Sequence, residues 1–168
     1  MNPTWKVRPA TADDAGDIAR IQVGSLRALG ISIDEGEIAS RWAGTLAAAP
    51  PPGFVTVVAQ HGDQVVGFSA AGPAEALDDV SVPEGIEVLA MDVDPNFRRS
   101  GHASRMLNAV VDLLAPESVR VWIDPEDDAR VCFWQSAGFA PAGLRRQMEG
   151  PEGTTLSEHL WWAARAAD

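Results

Sequence analysis

The sequence predicts an α+β fold with a mixed central β-sheet of about seven strands flanked by about four helices. Three observations carry that expectation. Apolar periodicity switches between two and 3.6 residues in the order βααββ, βα, βα, ββ; a cationic, glycine-bearing turn joins an apolar strand to an amphipathic helix; and two β-rich runs close the chain around Gly150 to Gly153. The 168 residues fit a single domain, 1–168, long enough to bury a core without staples. One cysteine leaves no intramolecular disulfide framework, and Cys132 is expected in the core of an apolar helical segment.

The elements follow in order. After a short extended start ending at Val7 to Pro9, Thr11 to Asp14 has the side chains of a helix cap with acids in the first turn, so helix one is expected to run to about Leu29. Ile31 to Ala49 reads as a second helix carrying Ile38, Trp42 and Leu46, ended by the run Pro50 to Gly53. Phe54 to Gln60 and Gln64 to Ala71 form a hairpin around His61 to Asp63, which makes His61 a turn residue. A polar loop from Gly72 to Gly85 leads to a strand over Ile86 to Val93. Helical spacing at Met106, Leu107, Val110, Val111 and Leu114 follows the cationic turn. Val119 to Ile123 is the next strand, Asp127 to Ala137 the last helix, and Ala140 to Met148 with Thr154 to Trp162 the closing hairpin.

Charge excludes one class of function. The net charge is -11, from 24 acidic and 13 basic residues with Lys6 the single lysine, whereas binding to nucleic-acid phosphates needs clustered Lys and Arg. An acidic surface keeps a protein in solution and also attracts a cationic amine or basic peptide. The histidines are scattered without ligand spacing, so no metal site is expected. No run of about 18 apolar residues exists and the N-terminus lacks a signal-peptide pattern; no membrane association and a cytoplasmic location are expected.

Arg98, Arg99 and Arg105 stand out against this acidic background. The turn that holds them opens a helix whose first N–H groups lack intrahelical acceptors and sit at the positive end of the helix dipole, which suits a pyrophosphate. Gly101 permits close approach of the backbone, and Ala103 keeps the helix start slim. The pattern Arg98-x-x-Gly101-x-Ala103 resembles the Arg/Gln-x-x-Gly-x-Gly/Ala signature of the GNAT acyltransferase superfamily, and Phe133 to Phe139 resembles that family's Phe-Tyr-x-x-x-Gly-Phe segment. The opening Val7-Arg-Pro-Ala-Thr-x-x-Asp14 is similar to that of many members, so the likeness spans nearly the whole chain.

The resemblance implies the GNAT fold and acetyl-CoA as the acyl donor, passed directly to a primary amine of a small molecule or peptide. It places phosphate contacts at Arg98, Arg99, Ser100, Gly101, His102, Ala103 and Ser104, with the His102 side chain facing solvent. The pantetheine arm would enter between strands ending at Val93 and Ile123 and pair with the backbone at Met91, Asp92 and Val93, one N–H polarising the thioester carbonyl. Glu87, eleven residues before Arg98, matches the position of a general-base glutamate in the superfamily's histone acetyltransferases, with Asp92 the weaker alternative; strand alternation and apolar neighbours would suit Glu87 to that work.

The pattern departs from the family at Trp134, where many members carry a tyrosine acid near the coenzyme sulfur, and at Asp127, where they carry an asparagine. An indole cannot act as an acid of useful pKa, so the expected roles of Trp134 are packing against the arm or weak donation to sulfur. A catalytically impaired acyl-CoA-binding module therefore stands as the alternative to an enzyme. Arg27, Arg41, Trp42, Trp161 and Trp162 lie on elements that shape the acceptor site in related proteins. A homodimer through the closing strands is compatible with the sequence, which does not demand one.

Overall fold

The computed structural model describes residues 4–77, 82–150 and 153–165. Seven strands form one mixed sheet in the order β1-β2-β3-β4-β5-β7-β6. In the chain these are β1 (Trp5–Pro9), β2 (Val55–His61), β3 (Gln64–Pro73), β4 (Ile86–Val93), β5 (Ser118–Ile123), β6 (Ala140–Glu149) and β7 (Thr155–Ala164), with helices α1 (Ala15–Ala28), α2 (Glu35–Ala47), α3 (His102–Leu114) and α4 (Asp128–Ser136). The expected element order and fold class are found. The turn between β6 and β7 lies partly outside the described residues.

The chain divides into two compact units, residues 1–71 with 90–115, and residues 72–89 with 116–168; β4 contributes to both. In the first unit, β1, β2 and β3 run antiparallel, with a bulge between Ala59 and Gln60. Helix α1 buries Ile18 and Ile21 against Val58, Val65 and Phe68, and Trp42 and Leu46 of α2 pack on the same cluster. Side chains of this size contribute about 1.5–3 kcal/mol each when fully buried. Helix α1 starts later than expected because Ala12–Asp14 forms a 3-10 turn. There the Arg8 guanidinium grips Asp14 through two 2.8 Å bonds, and the Thr11 N–H donates to the same carboxylate at 2.8 Å. Arg8 holds the Asp14 carboxyl below its usual value; burial opposes this, and the Thr11 N–H adds to it. Helix α2 begins at Glu35, four residues later than the periodicity suggests, because Asp34 accepts a bond from the Glu37 N–H at 2.8 Å and sets the first turn there.

In the second unit a parallel ladder joins Ile86, Glu87 and Val88 of β4 to Val119, Arg120 and Val121 of β5, while β7 pairs antiparallel with both β5 and β6. Gly85 is tightly enclosed where β4 begins: a Cβ there would lie 2.2 Å from the Ser118 carbonyl oxygen. The Ser118 hydroxyl donates to the Pro83 carbonyl at 3.0 Å, and the Ala74 N–H donates to the Gly85 carbonyl at 2.8 Å, so both ends of the 74–85 loop are tied to the strands. Cys132 is exposed on α4 and not in the core, since the apolar character of that helix resides in Trp134 and its neighbours. Among the described residues, no helix is long and apolar enough to cross a membrane.

Candidate functional site

The cationic turn is built by backbone conformations that most residues avoid. Arg99 has φ 61° and Gly101 φ 79°, both left-handed, so the chain doubles back between the extended Arg98 and the start of α3. Successive amides in such a turn form a concavity suited to an anion. Gly101 is the helix cap and carries no side chain to accept from the first-turn N–H groups of His102, Ala103 and Ser104. Donors so placed, at the positive end of the α3 dipole, suit an anion. Arg98, Arg99 and Ser104 are exposed around it.

Asp94 sets the approach to this turn. Its carboxylate accepts from the Asn96 N–H at 3.0 Å and from Arg20 of α1 at 2.9 Å, and its own N–H donates to the Val66 carbonyl. Burial, the largest single influence, pushes the Asp94 pKa up, but the Asn96 N–H and Arg20 together hold it below the usual carboxylate value.

Two residues of the turn differ from expectation. His102 is 2 % exposed and faces inward instead of solvent, because the first residue of α3 points toward β1 and β2. Its ring packs edge-on against Trp5 at 5.8 Å and His61 at 5.8 Å, and His61 packs on Phe97 at 5.1 Å. His61 is thus a strand-end residue of this cluster. Neither His102 nitrogen has a hydrogen-bond partner, and burial, with Arg105 and His61 adding to it, lowers the His102 pKa. Only the backbone of His102 remains a candidate phosphate contact. Arg105 also turns inward: its guanidinium lies 4.3 Å over the Trp5 ring, and Nη1 donates to the Ser100 carbonyl at 3.0 Å.

On β4, Met91 is buried, and Asp92 accepts a bond from the Ser25 hydroxyl of α1 at 2.9 Å. Burial falls on Ile86, Val88 and then Met91, so simple alternation breaks between Val88 and Met91. Glu87 lies in the second unit, and its surroundings differ from the apolar ones expected. Arg120, its neighbour in register on β5 and 5 % exposed, donates Nε to Glu87 Oε1 at 3.1 Å, and its Nη2 donates to the Glu75 carbonyl. Sequence reasoning missed Arg120; an arginine amid the apolar run Val119 to Ile123 was the available signal.

Trp134 is core. It is 2 % exposed and meets Phe133 at 5.0 Å and Phe139 at 4.7 Å, both edge-on, while its carbonyl accepts the Phe139 N–H at 3.0 Å. Its position explains the aromatic pattern of Phe133 to Phe139 as packing. Asp127 caps α4 by accepting from the Arg130 N–H at 3.1 Å and pairs with the Arg130 side chain at 3.2 Å. Trp42 donates its indole N–H to Gln22 at 2.8 Å and packs on Phe68, so it serves the first core; Arg41 pairs with Glu37 on the exposed side of α2. The structure thus gathers Met91 to Val93 and Arg98 to Ser104 in one unit and Glu87, Trp134 and Asp127 in the other.

The strand order, the left-handed turn at the start of α3 and the chain's Gly-x-Ala motif are those expected of the GNAT fold, and a family model agrees. The chain belongs to the acetyltransferase (GNAT) family, whose model matches residues 27–139. It is 27 % identical over 103 residues to the N-alpha-acetyltransferase RimI of Mycobacterium tuberculosis, a match that takes in 58 % of this chain and 65 % of that relative, under two-thirds of its length. Among solved structures it is similar to the ribosomal-protein-alanine N-acetyltransferase of Brucella melitensis, with a TM-score of 0.71, 20 % identity and coverage of 95 % of this chain and 99 % of that one. It is also similar to yncA of Salmonella typhimurium, solved with its cofactor acetyl-CoA, with a TM-score of 0.69, 15 % identity and coverage of 95 % and 93 %.

Proposed function

We propose that the protein transfers an acetyl group from acetyl-CoA directly to a primary amine on a small molecule or a peptide. The observation that carries this reading is the turn itself: left-handed Arg99 and Gly101, a cap without a side-chain acceptor, and exposed Arg98 and Arg99. N–H groups of Ser100 to Ser104 would hold the pyrophosphate, with the backbone of Met91 to Val93 receiving the pantetheine arm. Bound there, acetyl-CoA supplies an activated thioester whose carbonyl carbon the neutral amine attacks. The RimI relative, an N-alpha-acetyltransferase, makes the α-amine of a protein N-terminus a leading acceptor to test.

Glu87 is the proposed base, direct or through water. Arg120 fixes its Oε1, which orients the carboxylate and leaves Oε2 for a proton or a bridging water. Asp92 is the second candidate, held by Ser25. With no tyrosine in the chain and an indole, Trp134, at the family's acid position, no side chain of useful acidity stands there, so solvent would protonate the departing thiolate. An alkyl thiol such as cysteine's has a pKa of about 8.5, far below that of an alcohol, which makes that step tolerable.

That same observation supports a second reading, an acyl-CoA-binding module with impaired catalysis. Thiol release from acetyl-CoA, measured with a panel of amines and of peptides bearing free N-termini, separates the two. Turnover on any amine supports the enzyme; coenzyme binding without turnover favours the module. Glu87→Gln is expected to lower kcat about 100-fold or more and to remove the acid limb of the pH profile. An unchanged rate and profile would end the base assignment.

A further inference from the structure

We propose that Arg105 is a positioning residue for the anion-binding turn, with Trp5 as its backstop, and that it does not itself contact the phosphates. The proposal rests on the reading of the turn as a coenzyme cradle and concerns how the cradle keeps its shape. Arg105 stands one helical turn after Gly101, and its main-chain N–H donates to the Gly101 carbonyl at 3.0 Å. Its side chain runs back beneath the turn, where Nη1 donates to the Ser100 carbonyl at 3.0 Å. In a planar trans peptide the carbonyl and the following N–H point in opposite directions. Drawing the Ser100 carbonyl inward therefore turns the Gly101 N–H outward, toward the mouth of the concavity.

Trp5 keeps the guanidinium in place. The Arg105 Cζ lies 4.3 Å from the centre of the Trp5 ring, a stacking and cation–π contact open to arginine's planar group. Trp5 is fixed in turn by its register opposite His61 in the β1–β2 ladder and by its ring contact with His102. Gly101 completes the fit, since a Cβ there would lie 3.3 Å from Arg105 Nη2. Strand β1 thereby holds a helix-start turn more than ninety residues later in the chain, although β1 carries none of the phosphate-binding motif.

Charge-conserving substitutions separate positioning from simple attraction. Trp5→Leu leaves the Arg105 charge in place but removes its support, and Arg105→Lys keeps the charge but loses the planar fork. Each is expected to weaken coenzyme A binding by about tenfold, the scale of one oriented hydrogen bond to a charged group, in isothermal titration of the full chain. Trp5→Phe retains a ring under the guanidinium and is expected to stay within about twofold of wild type. Pantetheine, which lacks the diphosphate, is measured by competition with coenzyme A and is expected to bind all four proteins alike. Wild-type coenzyme affinity in both Trp5→Leu and Arg105→Lys overturns the proposal, as does an equal loss for pantetheine, which marks general damage to the fold. No coenzyme binding by the wild-type protein removes the cradle reading itself, a result distinct from either.

Discussion

His102 carries an imidazole into a nearly dry site with no partner for either nitrogen. A buried, unsatisfied polar ring is costly, whereas an apolar ring of similar shape is nearly neutral or stabilising. His102→Phe is therefore expected to leave stability at pH 7 within about 1 kcal/mol of wild type or to raise it, as read by urea unfolding. The sign of the pH effect follows from the lowered pKa. The unfolded chain binds a proton near its ordinary value of about 6.5, and the folded chain only at lower pH. Wild-type stability is thus full above that value and declines as pH falls through the folded pKa. Arg105 and His61, the charged and titratable groups facing the ring, both oppose its protonation. The phenylalanine variant is expected to lose that part of the decline; identical pH profiles for the two proteins would refute it.

Elements are fixed here by a few side chains at their ends. At the start of α1, Asp14→Ala removes the carboxylate that joins Arg8, the Thr11 N–H and the 3-10 turn. Its expected cost is about 2 kcal/mol in urea unfolding, since a buried carboxylate is lost from a partly exposed arginine. Because the folded Asp14 pKa lies below the ordinary one, its contribution is present above about pH 4 and is lost as pH falls through the folded value. At the start of β4, Gly85→Ala forces a methyl group into the Ser118 backbone. A cost of about 3 kcal/mol or more, or failure to fold, is expected from circular dichroism and thermal melting. Helix and strand identities were legible because periodicity survives in short windows. Boundaries were less so, because capping bonds such as Glu37 N–H to Asp34 depend on which way one side chain points.

At the level of the whole chain, the order of elements and the glycine-bearing turn before α3 were readable because both are written locally, in periodicity and in the run Arg98 to Ala103. The pairings that define side-chain roles were not. Arg120 meets Glu87 across 33 positions, Asp92 meets Ser25 across 67, and Trp5 reaches Arg105 only once β1 has joined the sheet. The family resemblance made His102 a solvent-facing residue, and tertiary packing buries it; Trp134, which the resemblance set near the coenzyme arm, is also buried, against Phe133 and Phe139. Arg99 shows what the turn demands of the rest of the molecule. A non-glycine residue in the left-handed region carries about 1 kcal/mol of strain, which the surrounding structure sustains. Arg99→Gly is expected to raise the melting temperature by a few degrees while weakening coenzyme A binding about tenfold, because the Arg99 charge is lost and the relaxed turn gains freedom that it must surrender on binding. Thermostability and donor affinity would then move in opposite directions at a single position, which makes Arg99 a place where selection for a sturdier protein works against its use.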